Sequence, residues 1–287
     1  RNTHSLVSPG TEIALYRRTH IGFDDPDIEW CAYPLDIGYA SVGVVDESRN
    51  ADVTPGTRIA HYGAHADYTV IDTNGPLWSP VPAGLDSSTA CFGRFAQIAY
   101  SAVVAAPRPT RHVLVYGAGI VGNLAAQWFL DRNASVAVTD LSPRRLELAY
   151  ACGIVDTDAE ETSASTRGGQ PDTIVEATGV AAVVEEALKR VSALGQVILL
   201  GSIRHDITIN AYKYIHRKVV LLSGAHETVL AGRQQAALVR SLDALAERRL
   251  RVEPIITRRI SPDLLPSVYD EIIASPDDNF GVLVEWA

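Results

Sequence analysis

The pattern of apolar and polar positions divides the chain into a β-rich beginning and an alternating middle. Pro, Gly and Asn turns separate short runs rich in β-branched residues, which lie at 41–45, 58–62 and 66–72. These runs predict a small β-barrel-like domain. Residues 87–105 are apolar with helical spacing and precede Pro107, so we expect one helix there.

From residue 112 onward, strand-like apolar runs alternate with stretches of helical spacing. Strands are predicted at 112–116, 134–139, 172–177, 196–201 and 219–223, and helices at 121–130, 144–151 and 181–194. Such alternation is typical of an α/β fold with a doubly wound parallel sheet. The remaining chain predicts helices at 229–249 and 264–274 and a last strand at 281–286.

The turn after the first of these strands carries the clearest chemical signal, Gly117-Ala-Gly119-Ile120-Val121-Gly122. Gly117 permits a tight turn, Gly119 lets the backbone approach a pyrophosphate, and Gly122 lets the helix pack against the strand. Asp140 ends the next strand, where an acid can accept hydrogen bonds from an adenosine ribose. These features predict a dinucleotide site. The alternative is a glycine-rich turn that binds nothing.

Composition narrows the class of protein. Of 287 residues, 47% are hydrophobic and 21% charged, which is typical of a globular protein with two modest cores. The net charge of −9 argues against nucleic acid or an anionic membrane as a partner. Cys31, Cys91 and Cys152 are scattered and form no CxxC motif, which indicates a reducing compartment. We therefore expect a cytoplasmic protein that acts on a small molecule.

Several stretches resemble the medium-chain dehydrogenase/reductase superfamily. Residues 8–12, 33–45, 56–59 and 65–70 resemble the metal-ligand and barrel segments of that superfamily. Residues 172–179 and 195–201 resemble the second half of its cofactor domain. The resemblance covers almost the whole chain. It implies a GroES-like catalytic domain (1–105), a Rossmann-type NAD(P)-binding domain (106–227) inserted into it, and a C-terminal return (228–287). It also implies a homodimer through the edge strand near 219–223.

Within the superfamily, the Ser-x-Gly-Thr-Glu and Tyr-Pro-Leu-x-x-Gly-Tyr segments are distantly similar to bacteriochlorophyllide dehydrogenase-type enzymes. The chain departs from zinc-dependent members at each metal ligand. The cysteine position holds Pro9, the His-Glu pair is replaced by Tyr39 and Ala40, and the third ligand falls on or near Arg94. Because proline and arginine cannot ligate zinc, we predict a zinc-independent enzyme without a metal site.

A second possible metal site, at His61 and His65, lies on a strand and turn. We expect no cysteine or acid beside this pair, so it does not predict a metal centre.

Without a metal, other residues must manage the proton and the substrate oxygen. We hypothesise that Tyr39 or a histidine exchanges the proton, and that Arg94 lowers the pKa of Tyr39 and stabilises an oxyanion or anchors an anionic substrate group. Thr11 matches the family's proton-relay hydroxyl, and His65 is the candidate to complete that relay. The alternatives are structural: Tyr39 fills the space of the lost metal, Arg94 pairs with an acid, and His65 is hydrogen-bonded in a turn.

The resemblance implies that Thr178 and Gly179 line the nicotinamide ribose and that Gly201 and Ser202 contact the carboxamide. Asp140 favours NAD because it repels a 2′-phosphate, while nearby Arg145 keeps NADP as the alternative. The predicted activity is hydride transfer between NAD and a secondary alcohol or ketone, in specialised metabolism. The alternatives are a zinc-free NADPH-dependent quinone or enoyl reductase, and a catalytically inactive nucleotide-binding protein.

Overall fold

Within residues 1–158 and 169–286, which the computed structural model describes, the strands form two six-stranded sheets. The elements up to residue 104 are β1 (Asn2–Leu6), α1 (Thr11–Tyr16), β2 (Ser41–Val44), β3 (Arg58–His61), β4 (Trp78–Pro80), α2 (Ser87–Ala90) and α3 (Gly93–Val104). The central elements are β5 (His112–Tyr116), α4 (Ile120–Asp131), β6 (Ser135–Thr139), α5 (Pro143–Ala151), β7 (Asp156–Asp158), β8 (Thr173–Glu176), α6 (Ala181–Arg190), β9 (Gln196–Leu199) and β10 (Leu221–Gly224). The last elements are α7 (Gln234–Ala246), β11 (Arg258–Ile260), α8 (Leu265–Ala274) and β12 (Val282–Glu285).

The first unit comprises Arg1–Arg94, Gly232–Arg248 and Ile255–Ala287. Its strand order is β11-β12-β1-β2-β3-β4, and β1 pairs antiparallel with both β12 and β2. A core of buried residues from β11, α8 and β12 includes Ile260, Val268, Ile272 and Val284. The C-terminal segment is thus an integral part of this unit, because β12 lies between β11 and the first strand of the chain.

The second unit comprises Phe95–Ala231 and Arg249–Pro254. Its strands are all parallel in the order β10-β9-β8-β5-β6-β7. Numbered from β5 as strand one, this is the 3-2-1-4-5-6 order of a Rossmann sheet, with the topological switch between β5 and β8. Leu114, Ile174 and Val197 are fully buried on neighbouring strands, as expected for a sheet covered on both faces. The predicted α/β fold is confirmed.

The strand predicted at 66–72 is wrong. Instead of joining a ladder, this segment is held by one residue of β1, Asn2, whose side-chain amide donates to the Ala66 carbonyl (2.7 Å) and to Thr69 Oγ1 (3.0 Å). The Asn2 backbone N–H donates to the Asp67 carbonyl at 2.7 Å. The carbonyls of Ala66 and Asp67 are thus satisfied without a strand ladder through this segment, and Val70 is fully exposed.

Two predicted helices are interrupted, each near a glycine. The apolar run at 87–105 divides into α2 and α3 just before Gly93, where an added Cβ would lie 2.7 Å from Leu242 Cδ2 of α7. The run at 229–249 divides into a 3₁₀ turn (Glu227–Leu230) and α7, and Gly232 between them has a φ of +69°. Within the described part of the chain, every helix is too short or too polar to span a bilayer.

Candidate active site

The glycine turn between β5 and α4 has the tight geometry that its sequence predicts. Gly117 has a φ of +95°, and a Cβ on Gly122 would lie 1.9 Å from the Gly117 carbonyl oxygen. Gly119 precedes α4, and no described heavy atom lies within 4 Å of where its Cβ would be. Gly117 and Gly122 are therefore required by the fold itself, while the open space over Gly119 leaves room for a phosphate group.

Ile120 and Val121 form the start of α4 behind this turn. Ile120 is buried and Val121 is half-buried, so these side chains serve packing. The backbone N–H groups of a first helical turn lack acceptors within the helix and attract anions. The contribution that these two residues can make to a dinucleotide site is through their backbone.

Asp140 lies against the same turn. Its carboxylate accepts hydrogen bonds from the backbone N–H groups of Ala118 (2.7 Å) and Ser142 (2.8 Å). The Arg145 guanidinium approaches Asp140 Oδ2 at 3.9 Å, and its side chain is 28% exposed. An anion fixed in this position fits a ribose with free hydroxyls better than one with a 2′-phosphate.

The loops after β8 and β9 pack backbone against backbone. Gly179 has a φ of +72°, and a Cβ there would lie 2.7 Å from the Ser202 carbonyl oxygen. A Cβ on Gly201 would lie 2.4 Å from the Gly179 nitrogen. Thr178 lies next to the glycine turn, because a Cβ on Gly117 would be 2.9 Å from Thr178 Cγ2. The structure thus brings Thr178, Gly179, Gly201 and Ser202 together at the carboxyl ends of adjacent strands, where open α/β sheets bind ligands. These residues fit a dinucleotide.

In the first unit, Thr11, Tyr39 and Arg94 lie together. The Tyr39 hydroxyl is 2.5 Å from Ser8 Oγ and is also hydrogen-bonded to Thr11. The Arg94 guanidinium carbon lies 4.0 Å from the centroid of the Tyr62 ring and 5.6 Å from that of Tyr39. The cluster therefore places a phenol among two aliphatic hydroxyls, with a buried cation beside its ring.

The expected lowering of the pKa of Tyr39 is wrong. Burial raises the pKa of its phenol above 10, and the negative charge of Glu12 adds to the increase. The hydrogen bonds from Ser8 and Thr11 and the charge of Arg94 act in the opposite direction but are weaker. Arg94 lies beside the ring, and its charge lowers the pKa of the phenol by less than burial raises it. Tyr39 is a neutral phenol at neutral pH.

His65 belongs to a buried network rather than to this hydroxyl cluster. Its Nε2 lies 3.1 Å from Glu12 Oε2, and its Nδ1 lies 2.7 Å from Ser5 Oγ. Glu12 is fully buried and also accepts from the Ser8 backbone N–H (2.9 Å) and the Tyr269 hydroxyl (2.8 Å). Both His65 nitrogens are thus engaged, in agreement with the structural alternative. The expectation that no acid lies beside this histidine is wrong.

The residues that the family resemblance places at zinc-ligand positions do not fit that ion here. Pro9 and Ala40 have no ligand atom in their side chains, and Arg94 is cationic. His61 is engaged elsewhere, with Nε2 at 2.8 Å from Asn2 Oδ1 and Nδ1 accepting from the Gly63 N–H at 3.0 Å. Among residues 1–158 and 169–286, no three His, Cys, Asp or Glu side chains are arranged to hold a metal ion.

Sequence reasoning missed three residues that the structure places at these sites. Ser8 contacts Tyr39, Glu12 anchors the Ser8 backbone, and Glu176 contacts the Thr178–Gly179 loop. Ser8 and Glu12 lie in the Ser-Pro-Gly-Thr-Glu segment that carried the resemblance. Glu176 ends a strand, directly before the predicted cofactor residues Thr178 and Gly179. A charged residue after the apolar pair Ile174 and Val175 was the sequence signal that could have identified it.

Comparison with known proteins supports the fold and the class. Residues 121–242 match the zinc-binding dehydrogenase family. A relative in Saccharopolyspora erythraea, an L-threonine 3-dehydrogenase, is 26% identical over 72% of this chain and 60% of its own length. The chain thus matches less than two thirds of that relative.

The solved structures agree in fold over nearly the whole chain. A short chain alcohol dehydrogenase (rspB) from Escherichia coli CFT073, complexed with NADH, has a TM-score of 0.83 at 18% identity, covering 99% of this chain and 90% of that one. A zinc-binding dehydrogenase from Sinorhizobium meliloti 1021, bound to NADP, has a TM-score of 0.79 at 19% identity, covering 99% and 90%. At these identities the solved structures show the fold, while the family match and the L-threonine 3-dehydrogenase relative support the prediction of a dehydrogenase or reductase.

Proposed function

We propose that this protein is a zinc-independent, NAD-dependent oxidoreductase that interconverts a secondary alcohol and its ketone. One observation carries the proposal: the structure holds Tyr39, which the family resemblance places at a metal-ligand position, as a neutral phenol hydrogen-bonded to Ser8 and Thr11. We infer that this hydroxyl acts as a proton donor in place of a Lewis acid. In the second unit, the glycine turn, Asp140 and the loops after β8 and β9 are the features that we propose bind the dinucleotide.

The bound nicotinamide would supply or accept the hydride. In ketone reduction, the Tyr39 hydroxyl would donate its proton to the carbonyl oxygen of the substrate, which leaves a phenolate. The Ser8 and Thr11 hydroxyls then donate to the phenolate oxygen, and the charge of Arg94 stabilises it. Solvent returns the proton to Tyr39. Alcohol oxidation follows the same steps in reverse.

The choice of NAD over NADP depends on Asp140. Its carboxylate is fixed by two backbone N–H groups at the rim of the glycine turn, so it cannot easily turn away from a 2′-phosphate. Arg145 is a cation near this site, and its guanidinium approaches the Asp140 carboxylate at 3.9 Å. These contacts favour a cofactor with a free ribose diol.

The remaining parts of the proposal concern assembly and location. We propose a homodimer, since β10 is the edge strand of its sheet and an exposed edge is a template for pairing with a second copy. Free, buried Cys31, Cys91 and Cys152 support a reducing compartment such as the cytoplasm. The net charge of −9 supports a small-molecule substrate rather than a nucleic-acid partner.

The test is to titrate the purified chain with NADH and NADPH and then to measure turnover with a panel of ketones and enones. We expect tighter binding of NADH and reduction of ketones. Reduction of enones alone, with NADPH, would replace the proposal with a quinone or enoyl reductase. Tight NADH binding without any turnover would identify an inactive nucleotide-binding protein.

A further inference from the structure

Glu176, the last residue of β8, has no exposed surface and yet carries a carboxyl group. That group accepts hydrogen bonds from the backbone N–H of Thr178 (2.7 Å), from the Thr178 hydroxyl, and from the backbone N–H of Gly179 (3.1 Å to Oε1 and 3.2 Å to Oε2). Its side chain therefore fixes the loop that follows its own strand.

The backbone of Glu176 fixes a second loop. Its carbonyl oxygen accepts from the N–H groups of both Leu200 and Gly201, each at 2.8 Å. Gly179 and Gly201 approach so closely that a Cβ on Gly201 would lie 2.4 Å from the Gly179 nitrogen. The two loops are packed against each other, and both are hydrogen-bonded to Glu176.

Burying a carboxyl group is unfavourable unless the hydrogen bonds that it accepts offset the loss of its hydration. Burial raises the pKa of Glu176, and the bonds from Thr178 and Gly179 oppose that increase. An apolar residue would fill the same space without desolvating a charge, but it could not accept from three donors. The contacts thus indicate a residue that specifies loop geometry.

Glu176 stands beside the topological switch of the sheet. A dinucleotide crosses this switch with its adenosine on the β5–β6 side, where Asp140 lies, and its nicotinamide on the β8–β9 side. We infer that Glu176 is a positioning residue for the nicotinamide–ribose half of the cofactor, because it holds the Thr178–Gly179 and Gly201 loops in the conformation that receives that half. This inference rests on the proposed function, which assigns the dinucleotide to this site.

If Glu176 has this role, replacing it should weaken the binding of NADH more than the binding of ADP. ADP carries the adenosine and pyrophosphate but no nicotinamide and no second ribose. The variant Glu176→Gln keeps the size of the side chain and removes the charge that strengthens three hydrogen bonds. We expect its Kd for NADH to rise by about 10-fold while its Kd for ADP stays within about 2-fold of wild type.

Asp172→Asn is the matched control. Asp172 directly precedes the same strand at its opposite end, and its carboxylate accepts from the backbone N–H groups of Arg111 (3.0 Å) and His112 (3.2 Å). This variant also weakens charge-assisted hydrogen bonds to the backbone, so it shows what a general loss of stability does to the two Kd values. We expect its Kd ratio of NADH to ADP to remain that of the wild type.

Both titrations use the full chain, with thermal unfolding of each variant measured alongside. If Glu176→Gln does not fold, Glu176→Asp, which keeps the charge but shortens its reach, is expected to show the same split. Equal weakening of both ligands, or of neither, would overturn the role of Glu176. A wild-type chain that binds neither NADH nor ADP would refute the proposed function together with the inference.

Discussion

Replacing Tyr39 with Phe removes a single oxygen atom, the proposed proton donor. The hydroxyl is bonded to Ser8 at 2.5 Å and to Thr11, while the ring packs beside Arg94 with its centroid 5.6 Å from the guanidinium carbon. Phe keeps the ring and its contact with the cation. The substitution therefore separates the chemistry of the hydroxyl from the packing of the side chain.

Two effects of different size follow. Each neutral hydrogen bond contributes about 0.5–1.5 kcal/mol to stability, so losing two lowers the free energy of unfolding by about 1–3 kcal/mol. A positioned general acid contributes about 100-fold to 10,000-fold in rate, so we expect kcat for ketone reduction to fall by at least about 100-fold, or about 2.7 kcal/mol of barrier. The Kd for NADH should not change, because the residues proposed to bind it belong to the second unit.

The assay is steady-state ketone reduction at saturating NADH, with NADH affinity and thermal unfolding measured on the same protein. Tyr16→Phe is the control, since the exposed Tyr16 hydroxyl also loses a hydrogen bond, to Asp270 Oδ1 at 3.2 Å, on the surface of the same unit. The control should keep a normal kcat. A Tyr39→Phe variant with kcat within about 5-fold of wild type would refute Tyr39 as the proton donor.

Three further outcomes are expected. Gly122→Ala should abolish NADH binding in a titration, because its Cβ would lie 1.9 Å from the Gly117 carbonyl oxygen; unchanged binding would contradict the geometry of the turn. Asp140→Asn should reduce the preference for NADH over NADPH by about 10-fold in competing titrations, since it removes a charge that repels the 2′-phosphate; an unchanged preference would place specificity elsewhere. Burial lowers the pKa of His61 to about 4 from 6.5, so the unfolded chain takes up a proton between these values that the folded chain does not. Denaturant unfolding should therefore show stability falling by up to about 3 kcal/mol as pH drops through this window, and His61→Asn should lose that part of the slope.

The second unit could be predicted from sequence because its signals are local. The apolar runs at 112–116 and 172–177 contain the buried parallel strands β5 and β8, and the need for Gly122 arises within one turn, from the Gly117 carbonyl oxygen. The first unit depends on contacts between distant residues. Asn2 donates to the carbonyls of Ala66 and Asp67 and to the Thr69 hydroxyl, and the segment predicted as a strand there is irregular.

The cluster of Thr11, Tyr39 and Arg94 shows the same limit in its electrostatics. Sequence placed Tyr39 and Arg94 near one another, and the structure has them in contact. The sign of the pKa shift could not be predicted, because it depends on how completely the phenol is buried and on the charge of Glu12. Glu12 and His65 are 53 positions apart in sequence, so their contact could not be inferred from spacing.

Metal analysis combined with activity tests whether hydride transfer proceeds in this protein without zinc. Zinc per chain and NADH-dependent ketone reduction are measured on one preparation, before and after exhaustive chelation. We expect substoichiometric zinc and unchanged kcat after chelation, with activity lost in Tyr39→Phe. About one zinc per chain, whose removal abolishes turnover and whose return restores it, would show instead that the enzyme depends on zinc.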